Sequence, residues 1–167
     1  MKVLIAITAI VLVSICSANS QVIKGTYAIK NVKTGMLLRV KDANGKNGTP
    51  LVAYEPQNWK CMTWDFQSTG GDTYQLKNLF TKKTFQPLGQ TKELAVLEEQ
   101  PLVDSASNQQ YEFIKVRKDT YLIKLKSTEL YITPADPEGG TNSSIVLAKK
   151  KKSADQEWMI YIQHPTM

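Results

Sequence analysis

The sequence predicts an all-β domain that is built from three copies of one unit. Three observations support this prediction: a motif recurs with a period of 47 residues, apolar residues at the start of each unit alternate with polar or small ones, and turn-forming clusters separate short apolar runs. No stretch after the first twenty residues sustains a helical period. We therefore expect about four short strands in each unit and about twelve in all.

The repeat is clearest at the beginning of each unit. A six-residue segment that begins at Gly25 recurs at Asp72 and again at Asp119, and all three copies carry Thr-Tyr followed by an alternating apolar residue. Four further columns keep this 47-residue register through both steps: Thr34, Thr81 and Thr128; Leu38, Phe85 and Ile132; Trp64, Tyr111 and Trp158; Phe66, Phe113 and Ile160. Five columns in one register indicate three copies of a single structural unit.

Short apolar runs predict the remaining strands of each unit. These runs are residues 36–40, 51–54, 94–97 and 145–148. Turn-forming residues separate them, as in 42–48. The middle unit departs from the others, because Val96 lies 15 residues before Tyr111, whereas Val52 and Val146 lie 12 residues before the matching Trp. We therefore expect one shortened and one lengthened surface loop in that unit.

A single unit of this size cannot bury its apolar face alone. Three units around a pseudo-three-fold axis can close into a barrel without a free strand edge, which protects an all-β domain from edge-to-edge association. The recurring aromatic residues then form a layered core. The units span about residues 25–67, 72–114 and 119–163 of one domain, 21–167.

The first twenty residues predict a secretory signal peptide. Lys2 supplies a positive charge, 3–13 is almost continuously apolar, and Ala18-Asn19-Ser20 offers small residues for cleavage. A lipid-modified Cys16 is the alternative reading, although Ile15 before it does not fit a lipobox. No later apolar stretch approaches the length of about 18 residues that a membrane span needs, so we expect a secreted chain without a transmembrane segment.

The composition argues against catalytic and metal-dependent functions. Cys61 is the only cysteine after residue 20, so an intramolecular disulfide is excluded and we expect a small buried thiol. The single histidine, His164, belongs to no nucleophile-activating or zinc-binding pattern, and there is no Gly-rich phosphate loop. The sequence therefore predicts a binding protein without a cofactor, a metal ion or a nucleic-acid partner, rather than an enzyme.

The units resemble the repeats of the ricin-type (R-type) lectin β-trefoils. In the first unit the resemblance rests on Thr26-Tyr27 with Ile29, Thr34-Gly35, Leu38 with Val40, and Gly48-Thr49-Pro50 followed by Val52. The resemblance covers essentially the whole chain after residue 20. It implies a β-trefoil fold and a secreted carbohydrate-binding (lectin-like) function.

The family closes each repeat with the signature Gln-x-Trp. This signature is complete in Gln156-Glu157-Trp158, has Tyr for Trp in Gln109-Gln110-Tyr111, and keeps only the Trp in Met62-Thr63-Trp64. We expect Trp64, Tyr111 and Trp158 to pack in the core. We expect Gln109 and Gln156 to satisfy backbone groups of a turn, as buried amides do.

The resemblance also implies where a sugar would bind in each unit. In that family an Asp after the Leu of the second strand accepts hydrogen bonds from the sugar, an aromatic ring stacks on it, and an Asn beside the closing signature adds further hydrogen bonds. The first position holds Arg39, Gln86 and Thr133; the second holds Tyr54, Glu98 or a neighbour, and Ala148; the third holds Cys61, Asn108 and Asp155. No unit keeps the full set, so we expect degenerate sites, with sugar contacts from Tyr54, Trp59, Asn108 and Asp155.

Two other binding functions stay open on the sequence. Loops at 42–48, 101–108 and 136–142 are candidates for a β-trefoil protease inhibitor or another protein-binding module, which presents rigid loops to its partner. Lys149, Lys150, Lys151 and Lys152, in a chain of net charge +6, are candidates for binding an acidic polysaccharide, with an affinity that falls in salt. Asn47 and Asn142 begin glycosylation sequons, which matter in a eukaryotic host.

Overall fold

The computed structural model describes residues 22–166, which form twelve β-strands and four short 3-10 turns. The signal peptide expected at residues 1–20 lies outside the described residues. The strands are β1 (Thr26–Asn31), β2 (Leu37–Val40), β3 (Leu51–Tyr54), β4 (Thr63–Gly70), β5 (Thr73–Asn78), β6 (Thr84–Pro87), β7 (Leu97–Gln100), β8 (Tyr111–Arg117), β9 (Thr120–Leu125), β10 (Leu130–Pro134), β11 (Ile145–Lys149) and β12 (Glu157–Ile162). Among residues 22–166, no helix is long and apolar enough to cross a membrane.

Six of the strands close into a barrel. The first and last strands of each unit pair with each other, β1 with β4, β5 with β8, and β9 with β12. Successive units are joined by the pairs β4–β5 and β8–β9, and β12 pairs with β1 to complete the ring. All these pairs are antiparallel, and the closed ring leaves none of the six strands with an open edge. The predicted all-β trefoil is therefore confirmed.

The other six strands form three hairpins that cover one end of the barrel. They are β2–β3, β6–β7 and β10–β11. Three isolated β-bridges join the hairpins to one another: Pro50 to Glu98, Val52 to Ser144, and Val96 to Val146. The three units therefore meet at this cap around the pseudo-three-fold axis.

One buried aromatic residue in each unit ties the barrel to its hairpin. These residues are fully buried at the start of β4, β8 and β12, and each donates one hydrogen bond of 3.1 Å to a carbonyl oxygen of the second strand, 26 residues earlier. The bonds are Trp64 Nε1 to Leu38, Tyr111 Oη to Phe85, and Trp158 Nε1 to Ile132. Since a buried aromatic N–H or O–H needs a partner, Tyr can replace Trp in the middle unit without leaving an unpaired donor.

The strand register corrects one expected equivalence in the middle unit. Glu98 lies opposite Gln86, which is the place that Val52 occupies opposite Arg39, so Val96 is not the counterpart of Val52. The counterpart lies 13 residues before the recurring aromatic residue, compared with 12 in the other units. The two loops of this unit therefore differ from their counterparts by one residue each.

Candidate functional site

The closing signature of each unit begins in a 3-10 turn just before the last strand. These turns are Lys60–Met62, Ser107–Gln109 and Ala154–Gln156, again 47 residues apart. Trp59 directly precedes the first turn, Asn108 lies in the second and Asp155 in the third. The four predicted sugar-contact residues therefore belong to three separate, symmetry-related places, and only Tyr54 and Trp59 share a unit.

In the second unit a buried amide side chain binds Gln86, the residue at the implied carboxylate position. Gln109 is 1% exposed, and its Oε1 accepts a hydrogen bond of 2.9 Å from the amide of Val103. Its Nε2 donates to the carbonyl of Pro101 at 3.0 Å and to Oε1 of Gln86 at 2.9 Å. Gln86 is thus bound within the protein, while the side chain of Asn108 is exposed.

The third unit shows the same arrangement with a different residue set. Gln156 accepts a 2.7 Å hydrogen bond from the amide of Lys151 and donates one of 2.8 Å to the carbonyl of Lys149. Thr133 Oγ1 donates to the backbone carbonyl of Asp155 at 3.1 Å. The Asp155 residue is 7% exposed, and its Oδ1 is buried without a hydrogen-bond partner. Both signature glutamines therefore hold turns.

The strand register also settles which residue stands at the aromatic position. Tyr54 pairs with Leu37, Gln100 pairs with Thr84 and Ala148 pairs with Tyr131. The middle unit therefore has Gln100 at this position, two residues beyond the expected Glu98. Only the first unit keeps an aromatic ring there.

The first unit stacks a cation on its two aromatic side chains. The guanidinium carbon of Arg39 lies 4.1 Å from the ring centroid of Tyr54 and 5.6 Å from that of Trp59. The two rings are 6.3 Å apart, with an angle of 36° between their planes. Both distances from Arg39 fall within the range of cation–π attraction. One face of Tyr54 is therefore covered by Arg39 rather than open to a sugar.

A cavity of about 290 Å³ adjoins this stack. It is lined by Arg39, Ala43, Trp59, Cys61 and Phe80, and we call it the first-unit cavity. Trp59 lines it as one of the predicted contact residues, whereas Tyr54 stands behind Arg39. Four of the five residues give it an apolar wall, so it offers a concave surface with one charged residue.

Phe80 belongs to the second unit, yet it lines the first-unit cavity, and the sequence did not predict this contribution. It is 51% exposed and lies in the turn after β5. Asn78, which is fully buried, accepts a 3.0 Å hydrogen bond from the amide of Phe80 and donates one of 3.1 Å to the carbonyl of Cys61. This one amide side chain therefore fixes two walls of the first-unit cavity with respect to each other.

Arg39 is a candidate site residue that the sequence indicated only as the replacement of a carboxylate. The residue is 8% exposed, and its Nε has no hydrogen-bond partner. No carboxylate of residues 22–166 lies within ion-pair distance of it. Cys61 is 4% exposed, and burial raises the pKa of its thiol, although the neighbouring Arg39 opposes this shift. The thiol is therefore a neutral part of the cavity wall.

The lysine run lies at a separate groove. Lys149 reaches Glu93 at 3.6 Å, while Lys150, Lys151 and Lys152 are exposed. The groove has a volume of about 410 Å³ and is also lined by Val116, Leu122, Ser153, Ala154 and Glu157. Within the described part of the chain, no three His, Cys, Asp or Glu side chains come together as metal ligands.

Comparisons with known proteins agree with this architecture. The family model described as a ricin-type beta-trefoil lectin domain-like domain matches residues 15–93. No curated protein sequence matches the chain.

Three solved structures illustrate the similarity of fold. The designed three-fold symmetric protein ThreeFoil has a TM-score of 0.78 at 14% identity, over 82% of this chain and 98% of its own. The Rhizoctonia solani agglutinin has a TM-score of 0.76 at 15% identity, over 88% and 100%. The Macrolepiota procera ricin B-like lectin, solved in complex with lactose, has a TM-score of 0.69 at 17% identity, over 84% and 98%. At these identities the likeness shows the fold alone.

Proposed function

We propose that this β-trefoil chain is a secreted carbohydrate-binding module of the ricin-type lectin kind, with one working site, the first-unit cavity. The observation that carries the proposal is Trp59, an aromatic side chain that lines the apolar wall of the cavity and pairs with the ring of Tyr54. The lactose-bound Macrolepiota procera lectin supports a sugar as the ligand class.

The geometry of the first-unit cavity is suited to a single sugar ring. Its volume of about 290 Å³ lies just below the range of about 300–1,000 Å³ that ligand pockets cover, which favours a small ligand. A saturated sugar ring has an apolar C–H face, which packs on Trp59 and Phe80. Its polar groups then meet the guanidinium of Arg39, which can only donate hydrogen bonds.

The other two units support a single-site module. Gln86 is already hydrogen-bonded to Gln109, and Thr133 is hydrogen-bonded to Asp155, so the groups at the implied carboxylate position are used internally. Neither unit has an aromatic residue at the position of Tyr54. We therefore propose that binding, without catalysis, takes place at the first unit, and that Asn108 and Asp155 serve the turns in which they lie.

A glycan array probed with residues 21–167 tests the proposal. We expect binding to one or more glycans, and Trp59→Ala should abolish it by removing the stacking surface. Tyr161→Ala is the matched control, because Tyr161 is 39% exposed on β12 and does not line the first-unit cavity. A blank array, or equal loss in both variants, would contradict carbohydrate binding at this cavity.

The lysine run supports a second candidate function, the binding of an acidic polysaccharide. Lys150, Lys151 and Lys152 are exposed side by side along one groove. Binding there should weaken steeply between low and physiological salt, because it depends on charges exposed to solvent. Replacing the three lysines with Gln should remove the salt-sensitive binding of long sulfated chains at this groove and leave Trp59-dependent binding unchanged.

A further inference from the structure

We infer that the first-unit cavity selects an acidic saccharide, whose carboxylate or sulfate group binds the guanidinium of Arg39. This inference rests on the proposed function and specifies the ligand class of the same site. It follows from three features of the cavity: a buried cation without a counterion, the restriction of its movement by two rings, and a donor at the position where the R-type lectin repeat has an acceptor.

The first feature is the missing counterion. Arg39 is 92% buried, yet no carboxylate of the described residues pairs with it and its Nε has no hydrogen-bond partner. An isolated buried charge is costly, and proteins ordinarily pair such a charge or use it. Stacking on Tyr54 and Trp59 and the neighbouring Cys61 thiol offset part of this cost, but none of the three supplies a negative charge. An anion from outside would complete the site.

The second feature is the orientation of the guanidinium. The guanidinium carbon of Arg39 lies 4.1 Å from the ring centroid of Tyr54 and 5.6 Å from that of Trp59, so the two rings restrict the movement of the guanidinium before a ligand arrives. A planar guanidinium binds two oxygens of one carboxylate or sulfate through parallel N–H bonds. Less side-chain freedom is lost on binding when the donor group is already held in place.

The third feature is that Arg39 stands at the position where the R-type lectin repeat has a carboxylate. A carboxylate there accepts hydrogen bonds from neutral hydroxyls, whereas an arginine only donates them. The strongest acceptors on a saccharide are the oxygens of a carboxylate or a sulfate ester, and both carry a negative charge. Trp59 and Phe80 leave room for the apolar ring face of the same ligand, because both line the cavity beside Arg39.

Calorimetric titration with matched pairs of sugars tests the inference. The probes are methyl galactoside and methyl glucoside, the corresponding uronic acids, and the 6-sulfated galactoside and glucoside. We expect at least one acidic member to bind about tenfold or more tightly than its neutral partner, which is the effect of one hydrogen-bonded charge. A comparison of the uronic acids with the sulfated sugars then shows whether the preferred anion is a carboxylate or a sulfate.

Two variants connect that preference to Arg39. Arg39→Met keeps the unbranched stem but removes the charge, so the acidic sugar should fall to the affinity of its neutral partner. Arg39→Lys keeps the charge without the planar fork, and we expect it to retain part of the preference. Lys151→Met is the control, because it removes one exposed cation outside the cavity and should leave the preference intact.

The possible outcomes separate the inference from the proposed function. Neutral sugars that bind as tightly as acidic ones would overturn the inference and leave carbohydrate binding standing. An acidic preference that survives Arg39→Met would overturn it too, and its loss in Lys151→Met would move the anion site to the lysine run. A chain that binds none of the glycans on the array or these probes contradicts the proposed function itself. If Arg39→Met fails to fold, Arg39→Lys gives the decisive comparison, and an unchanged preference in that variant counts against bidentate binding.

Discussion

Threonine recurs in the three units because its hydroxyl completes a turn. Thr34, Thr81 and Thr128 each accept a hydrogen bond on Oγ1 from the backbone amide two residues later, at 3.3, 3.4 and 3.1 Å. A Ser or Thr hydroxyl in this role competes with regular secondary structure and favours a turn. This column was recognisable from sequence alone because its interaction is local.

Tyr111→Phe tests the bond between barrel and hairpin in the middle unit. The change deletes the hydroxyl that donates to the carbonyl of Phe85 and leaves that buried oxygen unpaired. We expect the free energy of unfolding to fall by about 1–3 kcal/mol, measured by urea denaturation. The control is Tyr27→Phe, whose hydroxyl donates to the carbonyl of Lys24 in an exposed setting and should cost less than about 0.5 kcal/mol. Equal effects would contradict a special role for the buried bond.

Glu99 should make the protein less stable as the pH rises. The residue is 1% exposed, its Oε1 accepts a hydrogen bond from Thr81, and its Oε2 has no partner. Burial raises the pKa of this carboxyl above its usual value of 4.5, while Thr81 and Lys83 oppose the shift. Because the folded-state pKa is the higher one, the contribution of Glu99 is most favourable below pH 4.5 and is lost as the pH rises through the folded-state pKa.

Glu99→Gln isolates this effect. The amide keeps an acceptor for Thr81 and cannot ionise, so the variant should gain stability over the unmodified chain as the pH rises from acid to neutral. Urea denaturation at a series of pH values measures the difference. Glu55→Gln is the control, because Glu55 is exposed and its replacement should leave the pH dependence unchanged. A constant difference between Glu99→Gln and the unmodified chain would rule out the carboxyl as the source.

At the scale of elements, the strands that were predicted correctly are those with a register fixed by the repeat. The exception is the apolar run 94–97, whose observed strand β7 spans Leu97–Gln100. Leu94 is 71% exposed and has a positive φ of 65°, so it lies in a turn. The apolar run predicted a strand at 94–97, but the observed strand includes the acidic residues Glu98 and Glu99. Both are buried, and their backbones pair with the first unit.

Leu94→Asn should stabilise the protein. A branched side chain in the left-handed region is strained, whereas Asn adopts that conformation more readily, so we expect a gain of about 1 kcal/mol in the free energy of unfolding. The backbone hydrogen bond from Leu94 to the carbonyl of Leu147, 2.8 Å long, does not depend on the side chain. Leu88→Asn is the control, because Leu88 is 58% exposed without a positive φ. A gain of the same size in Leu88→Asn would mean that the loss of an exposed apolar side chain, and not the relief of backbone strain, stabilises the protein.

At the scale of the whole molecule, the repeat predicted the fold but not the site. The fold follows from a period that every unit shares, and a shared period is visible in one sequence. The first-unit cavity depends on what the units do not share: Arg39 in place of a carboxylate, and Phe80 contributed by the following unit. The contact between Arg39 and Tyr54 is a matter of side-chain geometry, which no spacing in the sequence reveals.

The single site proposed in the first unit sets the expected valence of the molecule. We expect calorimetric titration with a bound glycan to give one site per chain, and Trp59→Ala to remove it entirely. A pseudo-three-fold module with three working sites would instead give a stoichiometry of three and cross-link multivalent glycans. Two or more sites, or residual binding in Trp59→Ala, would return Asn108 or Asp155 to consideration as sugar contacts.

The pairing of β12 with β1 also determines when this protein can fold. Five residue pairs, from Tyr27 with Ile162 to Asn31 with Trp158, join the earliest described strand to the latest. During synthesis on the ribosome, β1 can pair with β2 and β4 early, but β12, its last partner, emerges only after the other strands. Contacts so distant in sequence slow folding, and a waiting strand can accept the equivalent strand of another molecule. The closed barrel leaves none of its six strands with an open edge in the folded protein. During assembly, however, one edge of β1 stays unpaired until β12 has been made.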